Sequence, residues 1–362
     1  MLDHIRYMDW NGFLSALAEL SSEPVAILLD RSLAKLWEIA SVLEAEKFNN
    51  WIWVDQIPPN PTEETIVYAV RCLKGKSVCA IIAVGGGSSI DLAKGMSALH
   101  CQEDILSSIQ CKSYLEQGDS RIPIIAVPTT AGTGSEVTQW ATVWGAHDNR
   151  KYSIDVSWLT PTQVWLVPEL AKSLPPRITL STGFDALSHA MEAYWAKASN
   201  PLVKALSVRS LEMILQYLPK ALSHPEEVEF RQSMLTASLM AGFAFSQTRT
   251  TACHSISYPM TALFGVDHGL AVCMTLAAVA KINSDSVDCS EIFALFAPLG
   301  GIQHWLDMQA DGIVHLRLAS FGITKLDIAR IVENAFTNGR IDNNPVSITE
   351  DMVTAVLEDI YE

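Results

Sequence analysis

The chain has 362 residues, 49% of them hydrophobic and 18% charged, with a formal net charge of −15 at pH 7. That apolar share excludes a disordered chain, and the length allows two or three compact domains with a sizeable core. A net-negative surface repels polyanions, so nucleic acid and anionic membrane are poor partners; a small anionic substrate stays compatible if local cations line its site. Seven scattered cysteines without a CxxC pair read as reduced, mostly buried thiols of a cytoplasmic protein. The N-terminal MLDHIRYMDW has no apolar signal core, and no uncharged apolar run reaches about 18 residues, so neither secretion nor a membrane span is expected.

Strand and helix signals alternate through the first half. Short apolar runs at Pro24–Leu29, Asn50–Val54, Val78–Val84 and Ile122–Val127 predict strands, and helix-length stretches such as Ser32–Glu46 and Thr62–Leu73 lie between them. Apolar strands alternating with helices argue for a parallel sheet covered on both faces. After Pro175-Pro176 the strand signals fade. Apolar residues recur at helical spacing through Leu180–Lys197, Val203–Tyr217, Arg231–Ala244 and Leu270–Ile282, and Thr349–Tyr361 reads as one more amphipathic helix. The expected organisation is an α/β dinucleotide-binding domain over residues 1–175 and an all-α domain over residues 176–362.

Two loops follow predicted strands. Gly85-Gly86-Gly87-Ser88-Ser89-Ile90-Asp91-Leu92-Ala93-Lys94 leaves one strand and opens a helix, where backbone N–H groups and the helix N-terminus suit a pyrophosphate. It differs from the G-x-G-x-x-G fingerprint, and a tight strand-to-helix turn explains it equally well. Pro128-Thr129-Thr130-Ala131-Gly132-Thr133-Gly134-Ser135-Glu136 follows the next strand and clusters hydroxyls and glycines at the same sheet edge, where α/β ligands bind. In the helical half, Asp185 and His189 share a helix face at i, i+4, and His254 and His268 follow. Each alone suits a satisfied core or cap position; together, one carboxylate and three imidazoles make a first set of ligands for Fe²⁺ or Zn²⁺.

These segments, in this order, resemble the iron-containing (group III) alcohol dehydrogenase family, whose fold is dehydroquinate synthase-like. The resemblance runs from Val25 to about Pro345. It implies an N-terminal dinucleotide domain, a C-terminal helical metal domain, a homodimer, and Asp185, His189, His254 and His268 as metal ligands, with Fe²⁺ expected and Zn²⁺ the alternative. It implies Gly86, Gly87, Ser88 and Asp91 at the pyrophosphate, Thr129, Thr130, Thr133 and Ser135 along the phosphate and nicotinamide, and Asn60 and Lys151 near the cofactor. Asp30, after the first apolar run, matches the position that meets the adenine ribose; a carboxylate there favours NAD over NADP, although a plain turn residue fits as well.

The implied reaction is NAD(P)-linked hydride transfer between a small alcohol and its aldehyde, with the metal polarising the substrate oxygen. One departure stands out: many family members carry a second histidine four residues after the third ligand, where this chain has Tyr258. Tyr258 is a candidate proton donor or simply a packed aromatic ring. AFSQTRTTACHSISYP, QWATVWG and KYS are similar to the phosphonoacetaldehyde reductase subgroup, which forms 2-hydroxyethylphosphonate. Arg249 would then grip the phosphonate through two parallel bonds, with Arg177 and Lys151 as weaker candidates, or else form a surface ion pair. Other substrates (a simple alcohol, a diol, a hydroxy acid or sulfoacetaldehyde), a dehydroquinate synthase-like cyclase, and a non-catalytic assembly-forming relative are the alternatives.

Overall fold

Three strands buried on both faces, Val25–Leu28, Ala80–Gly85 and Ile124–Pro128, sit at the heart of the first half. The computed structural model describes residues 3–116, 120–146, 151–337 and 339–362. Eight strands occur among them: β1 Ile5–Tyr7, β2 Val25–Leu28, β3 Ile52–Val54, β4 Ala80–Gly85, β5 Ile124–Pro128, β6 Trp140–Trp144, β7 Lys151–Asp155 and β8 Gln163–Leu166. Six form one parallel sheet in the order β1-β8-β5-β4-β2-β3, and β6 pairs antiparallel with β7. Val25, Ile27, Ile82 and Val84 join one core with Phe13, Leu17 and Trp165; Ala26, Leu28, Ile81 and Ala83 join the other with Ile66, Ile90 and Met96. Two apolar faces explain why these strands read as unbroken apolar runs.

The chain runs from β2 outward to β3, then returns to place β4 and β5 on the other side of β2. The order therefore reverses between β2 and β4, the place where open α/β sheets bind ligands beyond their strand C-termini. Gly85 stands in register with Pro128, so the glycine loop after β4 and the threonine loop after β5 leave side by side.

The chain divides into two compact units. One holds the sheet and runs to Thr130, resuming over Ser135–Lys172; the other holds Ser173–Glu362 together with Ala131–Gly134. The second unit is helical. Its longest elements are Pro176–Trp195, Pro201–Ser223 and Val228–Thr248, followed by Ala252–Phe264, His268–Cys273 and Leu276–Asn283. Pro176 and Pro201 stand in first turns, where proline's fixed φ suits helix initiation, and Asn200 caps its helix by accepting from the N–H groups of Leu202 and Val203. Among the described residues no helix is long and apolar enough to cross a membrane.

Several expectations are corrected. The predicted Ser32–Glu46 helix ends at Leu36, because Glu38 takes a positive φ and the chain turns back: Ile39 N–H bonds Ala34 carbonyl and Glu38 N–H bonds Lys35 carbonyl. This Schellman closure puts Ile39 into the same core as Ala34. The predicted Leu270–Ile282 helix breaks at Met274-Thr275, where the buried Thr275 hydroxyl occupies the Val272 carbonyl at 3.0 Å. β1, β6, β7 and β8 lie outside the four predicted runs; β1, β6 and β7 are partly exposed, whereas β8 carries the apolar run Val164-Trp165-Leu166. All seven cysteines are free, but only Cys253, Cys273 and Cys289 are buried; Cys79, Cys101 and Cys111 are exposed.

One buried cation ties the sheet unit together. Lys94, in the Gly87–Leu99 helix, is fully buried, and its ammonium donates to Ser135 O (2.7 Å), Ser135 Oγ (3.1 Å), Thr138 Oγ1 (3.2 Å) and Trp140 O (2.9 Å). Burial pushes its pKa down to about 8, against the pull of Asp91 and Glu136. Lys94→Met keeps the apolar stem but orphans these acceptors, and is expected to cost about 3 kcal/mol in chemical denaturation. An unchanged unfolding midpoint would contradict the role given to the ammonium.

Candidate metal centre and nucleotide loops

The Pro176–Trp195 helix aligns Asp185, His189 and Glu192 on one face at i, i+4 and i+7, all buried. His254 lies in the first turn of the Ala252–Phe264 helix, and His268 opens the His268–Cys273 helix. Asp185 Oδ1 stands 3.4 Å from His254 Nε2, 3.8 Å from His268 Nε2 and 3.9 Å from His189 Nδ1. One donor atom each from Asp185, His189 and His254 falls within 4.8 Å of the others. The ring centroids of His254 and His268 are 5.4 Å apart. His268 is the more open member, its side chain 36% exposed.

The chemistry of this set fits a divalent cation. Asp185 Oδ1 and His254 Nε2 are buried without a hydrogen-bond partner. Two orphaned polar atoms facing each other cost free energy unless something bonds both. His189 places Nδ1 3.2 Å from the Gly132 carbonyl, so its N–H donates there and its other nitrogen is left for a cation. Burial, opposed by Asp185, pushes the His189 pKa down to about 4, which is the neutral, ligating form. For His254 burial acts the same way but is outweighed by Glu192 and Asp185, which push the pKa up to about 10. Desolvation opposes ionisation of Asp185, yet the three imidazoles, His189 foremost, hold its carboxyl below the usual carboxylate range.

Glu192 was absent from the residues singled out in the sequence. It is fully buried, and its Oε1 accepts from Thr251 Oγ1 (2.6 Å), Cys253 N (2.8 Å) and His254 N (3.4 Å), while Oε2 engages His254 Nδ1. Its spacing of seven from Asp185 was the available signal. Gly269 lets the His268 helix approach: a Cβ there would lie 1.8 Å from the Ser181 carbonyl oxygen and 3.1 Å from Asp185 Cβ. Phe245 stacks on His189 with centroids 4.0 Å apart, and Tyr258 lies parallel to His268 at 5.9 Å. Arg249 ends the Val228–Thr248 helix with φ 64° and ψ −179°, a strained state for a side-chain-bearing residue, and its N–H bonds the Phe245 carbonyl at 2.6 Å. Arg177 instead pairs at the surface with Asp267 (2.6 Å).

In the sheet unit, Gly86 caps the Gly87–Leu99 helix, and a Cβ on it would meet Thr130 Oγ1 at 3.1 Å, so the two loops touch. Asn60, at φ 56°, donates its N–H to Ser88 Oγ at 3.2 Å. Thr129 N–H bonds the Gly85 carbonyl (2.9 Å). Asp91 and Ser135 are engaged internally: Ser135 Oγ donates to Asp91 Oδ1, and Thr142 N–H to Asp91 Oδ2 at 2.8 Å. Lys151 begins β7 in register with Trp144. Asp30 caps a helix through Oδ1, accepting from the N–H groups of Ser32 and Leu33, and the hydrogen bonds from Ser32 lead in lowering its pKa. Thr133 belongs to the Ala131–Gly134 segment that groups with the helical unit, where Gly134 takes φ 58° and a Cβ would meet Gly242 Cα at 2.6 Å.

If this centre binds a cation, metal at 1,000 times its Kd adds about 4 kcal/mol to the folded state. The melting temperature of chelator-treated protein is expected to rise by several degrees on adding Zn²⁺, and His189→Ala to lose that rise. Equal melting with and without metal in the unaltered protein would contradict the assignment.

Residues 10–168 match the family described as iron-containing alcohol dehydrogenase, and residues 179–361 match the C-terminal part of the Fe-containing alcohol dehydrogenase family. Similar curated proteins include the NAD-dependent methanol dehydrogenase of Bacillus methanolicus, 31% identical over 82% of this chain and 81% of that one. The 1-propanol dehydrogenase of Citrobacter freundii is 32% identical over 81% of this chain and 75% of its own length. Among solved structures, sulfoacetaldehyde reductase from Bifidobacterium kashiwanohense in complex with NAD+ is 27% identical with a TM-score of 0.85, covering 98% of this chain and 96% of that one.

Proposed function

Because the chain belongs to the iron-containing alcohol dehydrogenase family, we propose that it is an NAD-linked reductase of a small anionic aldehyde, with phosphonoacetaldehyde as substrate and 2-hydroxyethylphosphonate as product. The observation that carries the reading is the buried donor set, in which Asp185 and His254 present orphaned atoms to one another. Asp185, His189, His254 and His268 would hold the cation, Fe²⁺ in the family's name and Zn²⁺ equally suited to these donors. When bound, the cation polarises the substrate oxygen, and the reduced nicotinamide supplies hydride.

The chain's own residues account for the rest. The loops beginning at Gly86 and Thr129 offer N–H groups and hydroxyls to the cofactor's phosphates, as helix N-termini do. Asp30 stays ionised and half-buried after β2, where its charge repels a 2′-phosphate and favours NAD. The NAD complex of the sulfoacetaldehyde reductase agrees with that preference. Tyr258, beside His268, is the side chain proposed to deliver the proton to the product oxygen, directly or through water.

Arg249 is proposed to recognise the anion. Its backbone strain, of about 1–3 kcal/mol, persists because the carbonyls on either side, Thr248 O (2.6 Å) and Thr250 O (3.1 Å), both accept from Asn343 Nδ2. A guanidinium carried on that backbone would grip a phosphonate or sulfonate bidentately. Sulfoacetaldehyde is the second reading, supported by the similar reductase.

The test is NADH oxidation with phosphonoacetaldehyde, sulfoacetaldehyde, propanal and lactaldehyde. The phosphonate is expected to give the highest kcat/KM. Arg249→Ala is expected to raise KM for it by roughly 10- to 100-fold, the worth of a charged hydrogen bond, while leaving propanal within about threefold. Equal effects on all four aldehydes would remove Arg249 from recognition, and comparable rates across the panel would overturn the anionic substrate.

A further inference from the structure

We propose that Glu192 is a positioning residue for the metal centre, fixing His254 in the one tautomer and orientation that can ligate a cation. The proposal rests on the assignment of the cation to Asp185, His189, His254 and His268, and concerns a residue outside that set.

The argument starts from the carboxylate's surroundings. Glu192 is fully buried, and among the described residues the hydrogen bonds to its carboxylate come from the Thr251–His254 segment. Thr251 Oγ1, Cys253 N and His254 N all donate to Oε1, so that oxygen is fixed at the start of the Ala252–Phe264 helix. The Thr251 hydroxyl in turn accepts from Trp195 Nε1 at 3.0 Å. Oε2 is thereby aimed at His254 Nδ1. An ionised carboxylate only accepts, so Nδ1 must carry the hydrogen. Nε2 is then the nitrogen whose hydrogen a cation can displace, and that atom is the one found buried, without a partner, 3.4 Å from Asp185 Oδ1.

Charge gives a second reason. A buried divalent cation facing Asp185 alone would leave net positive charge in a dry site; Glu192 adds a second negative charge through the imidazole ring. Carboxylates behind metal-bound histidines raise ligand basicity, and their loss typically costs 10–100-fold in metal affinity. His189 has only a carbonyl, Gly132 O, in the equivalent place. The two histidines are therefore not equivalent, and His254 is the stronger donor.

Glu192→Gln separates this role from packing. The side chain keeps its shape. If its oxygen faces Thr251 and Cys253, its amide N–H meets His254 Nδ1 and drives the hydrogen to Nε2, the ligating atom. The experiment titrates metal-free full-length protein with Co²⁺, following visible absorption and heat. Glu192→Gln is expected to weaken Co²⁺ binding at least tenfold and change the absorption envelope, while Glu192→Asp recovers part of the affinity. Affinity within threefold of the unaltered protein, in a variant with native circular dichroism, would overturn the proposal.

Should Glu192→Gln not fold, nitrogen-15 NMR of the unaltered Zn²⁺-loaded protein decides. His254 is expected to show a protonated Nδ1 and a metal-bound Nε2, and the reverse tautomer would overturn the proposal. If His254→Ala bound Co²⁺ as tightly as the unaltered protein, the metal assignment itself would fail. Weak binding by His254→Ala with undiminished binding by Glu192→Gln would sink the Glu192 role alone.

Discussion

A carboxylate taken out of water in the middle of three imidazoles is the constraint on which the helical unit depends. Asp185 is 3% exposed, and its Oδ1 has no hydrogen bond of its own. Leaving such an atom unpaired costs about 1–3 kcal/mol, more when charged, and a cation shared with His254 would turn that defect into an anchor. The surrounding elements serve that convergence. The Pro176–Trp195 helix supplies three acidic or imidazole groups from one face, the Ala252–Phe264 helix is pinned by Glu192 through its first turn, and Gly269 removes the side chain that would hold the His268 helix away.

The sheet unit is organised by a different economy of polar groups. Beside the loops after β4 and β5, the buried polar groups are already satisfied. Lys94 takes the acceptors of Ser135, Thr138 and Trp140, and Asp91 takes the hydroxyl of Ser135 and the N–H of Thr142. Six of the residues read in the sequence as cofactor contacts fall into two groups. Gly86, Ser88, Asn60 and Thr130 line the touching loops, whereas Asp91 and Ser135 hold the framework behind them.

What the sequence disclosed follows from range. Apolar runs such as Ala80–Val84 are strands because both faces are covered, and that signal is local. Asp185 and His189 are marked because four residues is one helical turn, and His254 and His268 because with them they make one carboxylate and three imidazoles in the same helical half. The partners of Glu192 lie 59 to 62 residues away, and its spacing of seven from Asp185 is the one local mark it carries. β1 is three residues held by pairing with β8, some 160 positions on, and has no pattern of its own. The break at Thr275 is a side-chain competition for one carbonyl, invisible to hydrophobic periodicity.

X-ray absorption at the zinc edge of Zn²⁺-loaded protein tests the central claim most directly. The account predicts a shell of nitrogen and oxygen at about 2.0–2.2 Å, with the multiple-scattering pattern of three imidazole rings. Cys253, buried beside His254, offers a thiol that such a shell should exclude. A sulfur at about 2.3 Å, or a shell of oxygen without imidazole, would contradict the account.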